Sequence, residues 1–267
     1  TIPAARMIAT RMADHPGPIR VFYTGSAFRL PQPGRPRLSE HRQAGAELVG
    51  ATGPEADAEL LELLCACLRA AGLERFRVAV GSAAVMNAAL DAYMDGDDAR
   101  RRLRAAAAAR DHVAWAASAR GLDPALGALP TRRGGRGVLE DVAREIPAAA
   151  DACAALSRTL ERLDGTPAAD SVGVDLGIAH DRSYYDGVVL EAYAPGVGAP
   201  IARGGRYDAL AGRFGAPRPA IGFGIELDPM HRALAAAVGP RPVARGAVVA
   251  GPGAHDAAQA LRATGLP

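Results

Sequence analysis

Lysine is absent from the 267 residues, so all 31 basic side chains are arginine. That bias fits a GC-rich coding sequence and is no sign of nucleic-acid binding. Charge of one sign is not in excess either, because 29 acidic residues leave a formal net charge of +2. There is no basic block and no acidic tail, which argues against a nucleic-acid or polyanionic partner. Cysteine is scarce, with only Cys65, Cys67 and Cys153. Cys65 and Cys67 lie two apart on an apolar helical pattern and point to different faces. Buried thiols in a reducing cytosol are expected, with no metal site. No apolar run is long enough to span a bilayer, and no signal peptide is seen, so a cytoplasmic protein without membrane contact is expected. The chain opens on Thr1 in mid-pattern and reads as a fragment of a longer protein.

What is present begins with residues 21–50, VFYTGSAFRLPQPGRPRLSEHRQAGAELVG. Two strands are expected here, joined by a turn in which Pro31, Pro33, Gly34 and Pro36 stop the strands from continuing. Arg29 ends the first strand, and Glu40, Gln43 and Glu47 lie along the second. An arginine facing carboxylates and an amide can grip a zwitterionic or phosphorylated small molecule. Gln43 and Glu47 differ by an even offset and share a strand face, whereas Glu40 needs a bulge or twist to join them. A plain Arg29–Glu47 cross-strand ion pair is the alternative.

Around this hairpin, helical patterns cover residues 1–14, 54–71 and 83–93, with a short strand at 75–80. Residues 94–164 are rich in alanine and arginine and read as a helical insertion, with helices at 97–120 and 138–163 around a Gly/Arg/Pro loop. From Ser171, four apolar stretches read as successive antiparallel strands, the last running into a helix at 228–238. Residues 241–267 read as the start of a short α/β segment: strand, glycine turn, helix. An antiparallel sheet flanked by helices is an α+β fold.

Three later stretches carry chemistry. In HDRSYYDG, residues 180–187, the paired Tyr184 and Tyr185 put one ring on each face, so one ring can meet a ligand. In ARGGRYDAL, residues 202–210, Gly204 and Gly205 permit close backbone approach, and Arg206 adds charge. An ordinary tight turn remains the alternative, and the spacing is not that of a phosphate loop. In PAIGFGIELDPMHRAL, residues 219–234, a glycine-rich strand enters a helix with Pro229 in its first turn.

Taken together, these stretches resemble the catalytic domain of class II histidyl-tRNA synthetase. FR at Phe28–Arg29, PQPGR at residues 31–35 and EHRQAGAE at residues 40–47 resemble motif 2 of that family. YYDG at Tyr184 resembles its YYTG stretch, GGRYD at Gly204 matches its GGRYD, and Gly222–Phe223 resembles the entry to motif 3. The departures matter as much. Pro229 stands where the family's ATP-clamping arginine would fall, and His180 stands where a second diagnostic arginine would. Proline cannot hold a phosphate as guanidinium does, and amino-acid activation needs such charge. The chain therefore resembles a paralogous family, the regulatory subunit of ATP phosphoribosyltransferase.

That resemblance implies no catalytic residues, no cofactor and no metal. It implies a short-form catalytic subunit as partner, self-association into dimers within a hetero-oligomer, and feedback regulation by histidine. It implies a histidine site drawn from Thr1, Arg29, Glu40, Gln43, Glu47, Tyr184, Tyr185, Gly204, Gly205 and Arg206. Residues 1–240 would be the synthetase-like domain. An active histidine–tRNA ligase and a stand-alone histidine-binding scaffold are the other readings.

Overall fold

The computed structural model describes residues 1–28, 40–178, 184–215, 217–238 and 250–264. After helix α1 (Ile2–Arg11), strands β1 (Ile19–Phe28) and β2 (Glu40–Val49) pair antiparallel. Their register runs without interruption from Ile19 opposite Val49 to Phe28 opposite Glu40. Helix α2 (Gly53–Ala70) follows, then β3 (Arg77–Ser82) and α3 (Ala83–Tyr93). A helical stretch holds α4 (Asp97–Ala109), α5 (His112–Ser118) and α6 (Pro124–Ala128). A two-residue strand, β4 (Arg133–Gly134), then leads to α7 (Gly137–Glu145) and α8 (Ala150–Glu161). Strands β5 (Val172–Asp175), β6 (Val188–Tyr193), β7 (Ala202–Arg206) and β8 (Ala220–Glu226) return, followed by α9 (Leu227–Val238) and α10 (Ala254–Ala263). The strand expected just before α10 lies outside the described residues.

The strands form one eight-stranded sheet in the order β1-β2-β8-β7-β6-β3-β5-β4. All described pairs are antiparallel except β3–β5, which is parallel. The sequence pattern led us to expect β5 beside β6. Instead β3 lies between them. The chain leaves β3, runs through the helices of residues 83–164 and re-enters on the far side of β3, and such a crossover delivers a parallel strand.

Period-two alternation gives the sheet two different faces. Leu48, Val78, Val80, Leu190, Ala192, Ala202, Ile221 and Phe223 belong to one apolar core with α2, where Leu60, Leu61, Leu64 and Leu68 repeat at helical spacing. Burying each such leucine stabilises by roughly 1.5–3 kcal/mol. Leu103, Trp115, Leu126, Val142 and Leu156, from the helical stretch, share this core. The opposite face carries a smaller cluster in which Ala5 and Ile8 of α1 meet Ile19, Val49, Tyr207, Leu210 and Ala220.

Two helices expected to be continuous are broken. At Arg110 the backbone turns left-handed (φ 55°), and the Asp111 carboxylate then accepts the Ala114 N–H at 2.8 Å to start α5. Pro147, between α7 and α8, cannot donate into a helix interior, and a single 3₁₀ turn stands there.

Candidate functional site

The face opposite the large core holds the groups able to meet a small molecule. Cross-strand register sets their order. Glu47 on β2 stands opposite Gly222 on β8, Gly222 opposite Gly205 on β7, and Gly205 opposite Val189 on β6. Two residues toward the other end of β2, Gln43 stands opposite Glu226.

Glycine at 222 and 205 is required by close approach. A Cβ on Gly222 would lie 1.6 Å from Glu47 Oε2, so the carboxylate lies flat across the β8 backbone. A Cβ on Gly205 would lie 2.8 Å from the Tyr185 ring, which covers that residue. The GFG and GGRYD glycines thus form a floor on which a carboxylate and an aromatic ring rest.

Glu47 is fully buried on this floor. Its Oε2 accepts the Tyr207 hydroxyl at 2.5 Å, and Tyr207 is itself buried. Among the described residues Oε1 has no hydrogen-bond partner. The Thr1 nitrogen stands 3.7 Å from it. Burial pushes the Glu47 carboxyl above the usual glutamate range, while the Thr1 amine and the Tyr207 hydroxyl pull the other way. Burial also raises the Tyr207 hydroxyl, reinforced by the charge on Glu47. The Tyr184 and Tyr185 rings sit 4.7 Å apart, and Tyr184 meets Tyr207 edge-on at 6.2 Å. Gln43 Nε2 donates to Glu226 Oε1 at 2.6 Å, and His41 Nδ1 lies 3.9 Å from Glu226 Oε2.

This geometry sorts the residues expected from the sequence. Thr1, Gln43, Glu47, Tyr185 and Gly205 share the open face, with Tyr184 packed beside Tyr185 and Tyr207. Glu40 is at the solvent-exposed end of β2, accepting the Ser26 hydroxyl at 2.7 Å, and with no bulge in the register it projects from the face opposite to Gln43. Gly204 projects toward Phe223 on the core side. Arg206 also turns to that side. Its guanidinium donates to Asp57 of α2 at 2.5 and 2.9 Å, to Asp208 at 2.9 Å and to the Ala51 carbonyl at 3.3 Å. Arg29 and His180 lie outside the described residues. Tyr207 was not among the expected site residues, although its position two after Gly205 already placed it on the same face by alternation.

A profile of the family described as Histidyl-tRNA synthetase matches residues 1–230. The chain is 39% identical over 284 residues to the ATP phosphoribosyltransferase regulatory subunit of Symbiobacterium thermophilum, covering 100% of this chain and 70% of that one. It belongs to the histidyl-tRNA synthetase family, among the ATP phosphoribosyltransferase regulatory subunits. The protein of the same name from Moorella thermoacetica is 37% identical over 262 residues, 94% of this chain and 66% of its own length. A crystal structure titled as an ATP phosphoribosyltransferase regulatory subunit/histidyl-tRNA synthetase from Bacillus halodurans superimposes with a TM-score of 0.81 at 30% identity. That match covers 99% of this chain and 70% of the solved one. The chain thus spans about two thirds of the length of these relatives. In this member of the family, Pro229 occupies the first turn of α9, where the synthetase motif would carry its arginine.

Proposed function

We propose that this chain is a non-catalytic regulatory subunit of ATP phosphoribosyltransferase that holds histidine on the open face of its sheet. The names of its relatives support the regulatory role. The observation that carries the ligand assignment is the fully buried Glu47 carboxylate, held on one oxygen by Tyr207 and left with the other oxygen unbonded. A buried carboxylate without a donor is costly. An imidazole N–H supplies that donor, and the Tyr185 ring beside it suits a planar ring. Gln43 and Thr1 line the polar side of the same site, and Arg29 closes the rim. Gly204 and Gly205 let the strands approach closely enough to form the floor. Arg206 supports it from beneath through Asp57.

Pro229 supports the absence of amino-acid activation, since no guanidinium projects from that position toward a phosphate. The partner is a short-form catalytic chain, which acts with this chain in the first step of histidine biosynthesis, in the cytoplasm. The regulatory chains pair with each other inside that hetero-oligomer. Histidine changes transferase activity by favouring one conformation of the complex, for which a coupling of about 1–3 kcal/mol suffices.

Isothermal titration of the full-length protein tests the site. Histidine binds, and Glu47→Ala combined with Tyr185→Ala abolishes binding; unaffected binding in the double variant contradicts the assignment. The second name in the Bacillus halodurans title keeps one other reading in view, an active histidine–tRNA ligase. Histidine-dependent exchange between ATP and pyrophosphate decides between them, and robust exchange favours the ligase.

A further inference from the structure

One row away from Glu47 on the open face, β7 carries Arg203 directly opposite Gly224 of β8. Its neighbour on the other side is Glu191 of β6. Arg203 Nε donates to Glu191 Oε1 at 3.2 Å, and this is its one hydrogen bond among the described residues, leaving the two outer nitrogens unbonded. The Glu191 carboxylate is buried and does not depend on Arg203 alone. Arg110, at the end of α4, and the Tyr193 hydroxyl also donate to it. Two arginines around one carboxylate leave a surplus positive charge, and Arg203 is the one that stands beside the glycine floor.

The space above Gly224 is open and framed by polar groups. A Cβ there would lie 3.4 Å from the Tyr23 hydroxyl and 4.0 Å from the Gln43 amide carbon. Gln43 gives its N–H to Glu226, so its amide oxygen is an acceptor set beside the Glu226 carboxylate. Along β8, the Glu47 carboxylate therefore covers Gly222, Gly224 is bare, and Glu226 follows, with Arg203 reaching in from the side. This places an acceptor for a ring N–H at one end, a pair of acceptors at the other, and a guanidinium between them.

We propose that Arg203 binds the α-carboxylate of the ligand amino acid, and that the Glu226–Gln43 pair binds its α-ammonium. This rests on the histidine reading above and extends it: Glu47 selects the ring, and Arg203 with Glu226 selects a free amino acid over a ring compound. A guanidinium with two free nitrogens matches a carboxylate bidentately. The Glu191–Arg110–Tyr193 cluster fills the strip of floor beyond Arg203, so the open length suits an amino acid.

Isothermal titration of the full-length protein with histidine, histamine and imidazolepropionate tests this. Histamine lacks only the carboxylate, and imidazolepropionate lacks only the ammonium. The wild type prefers histidine over each analogue by tenfold or more, as loss of a charged hydrogen-bonded pair implies. Arg203→Gln, which can still donate to Glu191, lowers histidine affinity to the level of histamine and leaves histamine binding unchanged. Glu226→Gln removes the preference over imidazolepropionate in the same way. If Arg203→Gln keeps the full preference for histidine over histamine, or weakens both ligands equally, the carboxylate assignment is overturned while the histidine reading stands. If the wild type binds none of the three, the histidine reading itself fails. Unchanged thermal melting of each variant shows that the comparison concerns binding.

Discussion

The Tyr207 hydroxyl lies 2.5 Å from Glu47 Oε2, joining residues 160 positions apart in the chain. One strand end thereby fixes the position of the only fully buried carboxylate facing the open side of the sheet among the described residues. Tyr207→Phe removes the donor and keeps the ring. A buried carboxylate losing a neutral donor costs about 1–3 kcal/mol. We expect a lower melting temperature and weaker histidine binding in this variant, read by thermal denaturation and titration. Unchanged values in both would mean that Tyr207 does not position Glu47.

The pH dependence of stability follows from the direction of the Glu47 shift. Its folded value is raised, chiefly by burial. The stability linked to it is therefore fully present below the unfolded glutamate value, about 4.3, and is lost as pH rises through the higher folded value. Asp57 and Asp186 are raised by burial as well and act in the same direction. Denaturant unfolding of wild type and Glu47→Gln across this range should show the variant gaining stability relative to wild type as pH increases above about 4.3. A constant difference between the two would contradict the shift.

Arg206 and Asp57 test which face of the sheet a residue serves. Both are buried, and their ion pair bonds β7 to α2 on the core side. Asp57→Ala leaves a buried guanidinium with Asp208 as its remaining acidic partner, and we expect a loss of about 3 kcal/mol. The preference for histidine over histamine should not change, because neither side chain projects onto the open face. Intact stability with altered preference would place Arg206 in the ligand site instead.

The sequence made some of this arrangement readable and not the rest. Even spacing put Gln43 and Glu47 on one face, as found, and the same rule separates Glu40 from them once the register is seen to lack a bulge. Alternation also separates Gly205 from Arg206 and joins Arg203, Gly205 and Tyr207, but that inference needs the exact strand boundaries, which the glycine pair obscures. The parallel β3–β5 pairing depends on a crossover through distant helices and leaves no local mark. The break at Arg110 was hidden because a left-handed arginine is not a residue that composition flags. Its reason is tertiary: at that point the side chain turns toward Glu191 and the Tyr193 ring.

The most direct test of the account is a histidine titration of phosphoribosyl transfer, with a short-form catalytic chain reconstituted with the full-length protein. We predict that transfer requires this chain, that histidine inhibits it, and that Glu47→Ala raises the inhibiting concentration by tenfold or more while transfer without histidine persists. An unshifted inhibition curve with Glu47→Ala would contradict the claim that this chain reads histidine through Glu47.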